Sequence, residues 1–269
     1  VATGDRRKTF AVTALDTWQR WAHDDGDEDR EPPTVDDLRR ELLGRAQTHK
    51  MIAGLAGHKV LEELSAGNES SIRDRGIEVR GFSAFDHALG LTPGSSVLAA
   101  SASTYTLVEV NDGDLVPVSL RWELREEEAL RVHPIRESKV ELEFPTSRGL
   151  LLAKGRVDGG DGVEVVDYKF SGRPDIEALE RSWQWQVYLL ATGARRFRWE
   201  VFTVRPPLKG EEAYRIVKRQ TSTQYAYPEM RAEVTRAVEN FAAAIDEFVP
   251  EYWDRARREA DAAPVDEEE

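Results

Sequence analysis

Apolar residues recur at three- and four-residue steps across residues 35–63, with Leu38, Leu42, Met51, Ile52, Leu55, Val60 and Leu61 among them and one interruption. That spacing puts them on one helical face. Thr34, directly after Pro32-Pro33, is the expected N-cap. Before it, residues 9–21 read as a short strand running into a helix, with Thr13 as its cap. Residues 65–80 are polar and contain glycine, which predicts a loop. Strand-like pieces follow at 96–98, 105–110, 116–120 and 139–144. Two longer apolar strands, 150–158 and 163–170, flank Gly159-Gly160-Asp161-Gly162, a turn able to supply the positive φ of a tight hairpin. Pro174 opens a helix to about residue 191, with Ile176, Leu179, Trp183, Val187 and Leu190 on one face. A strand over 197–204 ends at Pro206-Pro207. A long amphipathic helix spans about 228–260 and breaks near Pro250. With no internal repeat or low-complexity linker, the pattern predicts one α/β domain over residues 1–269, with an acidic tail from about 261.

Composition narrows this further. Seven Trp and nine Phe supply a packed interior that a disordered chain lacks. No apolar run is long enough to span a bilayer, and the N-terminal residues lack a signal-peptide core. The absence of cysteine excludes disulfides, thiolate-bound zinc and cysteine-ligated iron–sulfur clusters, and fits a reducing, cytoplasmic setting. The net charge of −13 opposes binding to nucleic acid. The charge is uneven, however. Acidic blocks occupy residues 24–31 and the C-terminal tail, whereas Arg195, Arg196, Arg198, Arg205, Lys209, Arg215, Lys218 and Arg219 form a local basic strip.

The candidate chemistry sits in the hairpin. Strand alternation places Val163, Val165, Asp167 and Lys169 on one face, so a carboxylate and a lysine project together beyond two valines expected in the core. Asp158 approaches from the neighbouring strand. Two converging carboxylates repel unless a cation lies between them, and hard oxygen ligands suit Mg2+ or Mn2+. Such an ion would activate a water as nucleophile, with Lys169 deprotonating that water or neutralising charge on a phosphate. The same residues also fit a plain hairpin, in which Asp158 and Asp161 serve the turn and Asp167 and Lys169 form a surface pair. Further along, Gln184 and Tyr188 lie four apart on the next helix, on a stripe beside its apolar face that suits the edge of a cleft. Upstream, Gly54, His58 and Glu62 share a helical face. There Gly54 would admit a neighbouring strand, and His58 would add an imidazole to the metal. A lone helical histidine is also a common structural residue, and His49 is a rival.

Taken in order, Gly54-x-x-x-His58, Gly155-Arg156-Val157-Asp158, Val166-Asp167-Tyr168-Lys169 and Gln184-x-x-x-Tyr188 resemble the RecB/AddB-type branch of the PD-(D/E)XK nuclease superfamily. That branch comprises nucleases of recombination machines, phage exonucleases and CRISPR-associated exonucleases. The resemblance covers residues 53–204. It implies a mixed central sheet flanked by helices, with a helical N-terminal part and a long C-terminal helix. It also implies a metal-dependent DNA nuclease, an exonuclease of recombination, repair or phage DNA processing. His58, Asp158, Asp167 and the Tyr168 backbone carbonyl would hold Mg2+ or Mn2+, and Lys169 would be the catalytic lysine. Gln184 and Tyr188 would orient the centre and contact the nucleic-acid backbone. The implied partner is DNA, as single strands or duplex ends, delivered by a helicase or a single-strand-binding protein. Residues 12–21 resemble the N-terminal segment of relatives that carry an iron–sulfur cluster. The cluster's cysteines are missing here, so its stapling role falls to packing by Trp18, Trp21 and Tyr252-Trp253. Two other functions use the same residues: an inactive nuclease-fold module that binds DNA or is structural, and an endonuclease of a defence system. Residues that handle the phosphodiester do not separate them.

Overall fold

A computed structural model describes residues 8–23, 32–44, 49–65, 97–98, 103–110, 114–123, 130–131 and 135–254. The acidic block at 24–31, the expected loop beyond residue 65, the side chains of His49 and Glu62, and the acidic tail lie outside them.

The first strand, β1 (Lys8–Ala11), runs directly into α1 (Val12–His23), so Thr13 lies inside the helix rather than capping it. The Thr34 cap forms as expected: its side chain accepts from Asp37 N at 3.2 Å, and the Asp37 carboxylate accepts from Thr34 N at 2.9 Å. This capping box opens α2 (Val35–Leu42), and α3 (His49–Ser65) follows. The strands are β2 (Val97–Leu98), β3 (Ser103–Val110), β4 (Asp114–Trp122), β5 (Leu130–Arg131), β6 (Ile135–Thr146), β7 (Gly149–Gly160), β8 (Glu164–Ser171), β9 (Arg196–Arg205) and β10 (Tyr214–Tyr225). The helix expected from Pro174 to about residue 191 is two helices, α4 (Ile176–Glu180) and α5 (Gln184–Thr192). The last, α6 (Met230–Phe248), stops before Pro250.

The mixed sheet runs β1-β7-β8-β9-β10-β4-β3, with β6 on the other edge of β7; β2 and β5 form a separate pair. Parallel neighbours β8 and β9 pair along their whole length. Helices cover both faces, as an α/β core requires. One face buries Val157, Val165, Phe197, Trp199 and Val201 against α1, α5 and α6. The other buries Val166, Tyr168, Phe202 and Ile216 against Ile52, Ala53, Ala56 and Val60 of α3. Alternation along β8 therefore holds, except that Val163 precedes the strand and is 54% exposed rather than in the core. Gly57, not Gly54, is the glycine that admits the sheet. A Cβ there would lie 2.4 Å from the Phe170 ring, whereas one at Gly54 would meet Phe170 only at an ordinary 3.5 Å.

Aromatic packing joins α1 to α6 and the residues that follow it. Trp18 meets Phe241 edge-on at 6.2 Å, Trp21 packs on Phe248 at 5.7 Å, and Phe241 also contacts Tyr252 and Trp253. Lys8 Nζ lies 2.6 Å from Asp246, and Ala11 N donates to the Tyr252 hydroxyl at 3.3 Å.

Candidate active site

The site is built on a break in backbone pairing. β6 takes one edge of β7 along its whole length. The other edge is shared: β1 pairs with Leu151–Lys154, and β8 pairs only with Gly159 and Gly160. Residues 155–158 of β7 therefore face β8 across an unpaired gap. The turn beyond is held by Asp161, whose Oδ1 accepts from Val163 N at 2.9 Å and Glu164 N at 2.7 Å, and Gly162 has φ +85°. Asp161 is thus a turn residue, as the plain-hairpin reading had it. Asp158 is not. Its Oδ2 reaches across the gap and accepts from Tyr168 N at 2.6 Å, standing in for the missing strand-to-strand bond. In a strand the N–H and C=O of one residue point to the same edge, so the Tyr168 carbonyl faces the gap too.

Through this opening, side chains from both faces of the sheet converge. His58, on α3, packs its ring against Phe170 at 5.1 Å and Tyr168 at 6.5 Å, and its Nδ1 lies 3.6 Å from Asp158 Oδ2. On the opposite face Lys169 Nζ lies 2.5 Å from Asp167 Oδ2 and 5.1 Å from the centre of the Trp199 ring. Asp167 is 2% exposed, and its Oδ1 accepts from Gln184 Nε2 at 3.0 Å. The same nitrogen lies 3.2 Å from the Tyr188 hydroxyl. Gln184 and Tyr188 are themselves buried, so they stand behind Asp167 rather than at the edge of a cleft. Gly155 makes room for them: a Cβ there would sit 2.6 Å from the Tyr188 ring.

Burial of these acids in one small space sets their protonation. Desolvation pushes the carboxyls of Asp158 and Asp167 up to about 6, against the pull of Lys169. Burial pulls Lys169 down, but Asp167, Asp158 and Asp16 outweigh it and raise the ammonium above its ordinary value. Tyr188 is raised as well, by burial and by Asp167. Asp16, on α1, is a member the sequence pattern passed over. Burial carries its carboxyl to about 6, and its Oδ1 accepts from Trp183 N at 2.6 Å. The only signal was its place in the segment 12–21.

The donors fit a hard divalent cation in kind: two carboxylates, an imidazole and a carbonyl facing one gap. Apart from the approach of Lys169, Asp167 Oδ2 is buried without a hydrogen-bond donor. Among the described residues no three acidic or histidine side chains already enclose such a site. Asp167 is instead turned towards Lys169 and Gln184.

The basic strip fares differently. Arg196 and Arg198 pair with Glu164, and Arg198 and Arg219 pair with the fully buried Glu200. Those three guanidiniums neutralise buried acids of the molecule. Among the described residues, no helix is long and apolar enough to cross a membrane.

No curated protein matches the chain. One solved structure, described as "Crystal structure of SSO0001", is similar at 17% identity over 40% of this chain and 48% of that one, with a TM-score of 0.31. The chain thus spans about half the length of that protein, and a likeness this low carries no argument. A family model, that of the PD-(D/E)XK nuclease superfamily, matches residues 34–267, which takes in His58, Asp158, Asp167, Lys169, Gln184 and Tyr188 without singling out the RecB/AddB branch. The chain therefore belongs to the PD-(D/E)XK nuclease superfamily, whose members generally work with Mg2+ or Mn2+.

Proposed function

We propose that the chain is a metal-dependent deoxyribonuclease, and that it is an exonuclease of the RecB/AddB type acting at DNA ends in recombination, repair or phage DNA processing. The observation that carries the nuclease reading is the convergence of His58, Asp158, Asp167 and Lys169 on one gap between β7 and β8. His58, Asp158, Asp167 and the Tyr168 carbonyl would hold Mg2+ or Mn2+ there. When bound, the ion supplies Lewis acidity towards a phosphoryl oxygen and water.

The chain's own residues do the rest. Lys169 is held protonated by the acids around it, which suits it as a fixed cation for charge developing on the phosphate rather than as a base. Gln184 and Tyr188 fix the Asp167 carboxylate from behind. A binding-only module would not need a lysine held charged beside two desolvated carboxylates.

The path for a DNA strand is proposed to run past the end of β8. A cavity of about 570 Å³ lies there, lined by Met51, Phe170, Arg173, Arg205 and Tyr214 among others. Aromatic faces and guanidiniums are the chemistry that sequence-tolerant binding of single strands uses. The test is cleavage of end-labelled single strands, linear duplex and covalently closed circles, with Mg2+, Mn2+ or EDTA. Metal-dependent product from linear but not circular DNA is the expected result. Cutting of closed circles would replace the exonuclease with an endonuclease, and no cleavage of any substrate would overturn the reading.

A further inference from the structure

We infer that Asp16 is a positioning residue of the active centre, capping from α1 the N-terminus of α5, the helix whose Gln184 hydrogen-bonds Asp167; the inference rests on the nuclease reading above. α5 lacks a cap of its own. Its N-cap residue is Trp183, whose side chain makes no capping hydrogen bond. The first amides of a helix need acceptors from somewhere. Asp16, 167 residues away in sequence, provides one, its Oδ1 accepting from Trp183 N at 2.6 Å. Gln19, three residues further along α1, donates from Nε2 to the Arg181 carbonyl at 3.3 Å and ties down the same bend. The break between α4 and α5 is therefore held from α1.

That bend decides where Gln184 begins the next helix. Gln184 Nε2 reaches Asp167 Oδ1 at 3.0 Å, and Tyr188 follows one turn later. The Asp16 charge also helps to hold the Lys169 ammonium protonated. A local residue at position 183 would cap α5 at less cost than a carboxylate buried on another helix. Supplied from α1, the cap links the packing of the N-terminal helix to the orientation of Asp167. The orientation passes from Asp16 to Trp183 N, then to Gln184, and finally to the Asp167 carboxylate.

The experiment compares kcat and KM for a linear DNA with Asp16→Ala, Asp16→Asn, Gln184→Ala and the Asp16→Ala/Gln184→Ala pair. Asp16→Ala should lower kcat by about 10- to 100-fold with KM little changed, since orientation at the reacting centre is lost and strand binding is not. Asp16→Asn keeps an acceptor for Trp183 N and should restore most of that loss. The double variant should be no slower than Gln184→Ala alone, because both changes cut one chain of contacts. Strictly additive losses, or Asp16→Ala with wild-type kcat, would overturn the inference. Amide exchange reads the cap without activity: Trp183 and Gln184 amides should exchange faster in Asp16→Ala than in the wild type. Unchanged exchange overturns the cap. A wild-type protein that cleaves nothing while these amides respond would instead overturn the nuclease reading, and Asp16's role in it.

Discussion

Strands β7 to β10 carry two groups of buried charge that contrast in how completely they are satisfied. In one group, Glu164 and Glu200 are almost fully buried, and three arginines close on them: Arg196, Arg198 and Arg219. In the other, Asp158 and Asp167 share one lysine and one nearby imidazole, and Lys169 is all that approaches Asp167 Oδ2. Both cost desolvation. Only the first offsets it within the chain. The second leaves its acids with raised proton affinity, the condition of a site completed by something from outside. The satisfied cluster reads as structure, and the unsatisfied one as chemistry.

The sharpest way to break that contrast is to remove one charge from each cluster. Asp158→Ala and Lys169→Ala should each lower single-turnover cleavage by about 10³-fold, comparable to loss of a charge-stabilising donor elsewhere, while circular dichroism shows a folded protein. Cleavage that survives both changes would remove the site from this gap. Glu200→Ala should do the reverse. It strands Arg198 and Arg219 around a cavity and should cost about 3 kcal/mol or more in urea unfolding, with activity per folded molecule retained.

A smaller effect separates the clusters by pH. Folding raises the Asp158 pKa from 3.8 to about 6, so between those values the folded state binds more protons than the unfolded one. Stability from this group accordingly falls as pH rises through that window, and the full penalty stands above it. At pH 7.5 without metal, Asp158→Asn should therefore stabilise the protein by about 2 kcal/mol, a gain that disappears near pH 4. Added Mg2+ or Mn2+ should raise the wild-type melting temperature more at pH 7.5 than at pH 5, and should not raise that of the variant. A variant no more stable than the wild type at pH 7.5 would show that the chain itself satisfies Asp158.

The smallest expected change is at the proposed strand path. Arg173→Ala and Arg205→Ala should each raise KM a few-fold and reduce the salt dependence of binding by about one phosphate contact, leaving kcat in place. Lys218→Ala, in the basic strip but away from that cavity, serves as the control.

Much of this was legible because it is local. Thr34 and Asp37 make a capping box from residues three apart, and the turn chemistry of Asp161 and Gly162 needs no distant partner. What failed depended on remote contacts. Residues 174–191 carry one helical apolar stripe, yet the chain bends at 181–183, where Asp16 and Gln19 of α1 add two hydrogen bonds to the local ones. The eight basic residues of 195–219 look like a phosphate surface until Glu164 folds against two of them. Gly54 and Gly57 are indistinguishable as letters, and only the docking of α3 on Phe170 picks the second.

The sequence by itself determined the order of the motifs and, through strand alternation, that Asp167 and Lys169 project together. It could not decide that His58 joins them, because α3 covers the opposite face of the sheet. Only the tertiary structure does that. With β1 and β8 sharing one edge of β7, a stretch of backbone is left unpaired, and Asp158 spans the opening so that groups from both faces meet at one point. Strand pairing is non-local, and the gap on which the site is built is a property of that pairing.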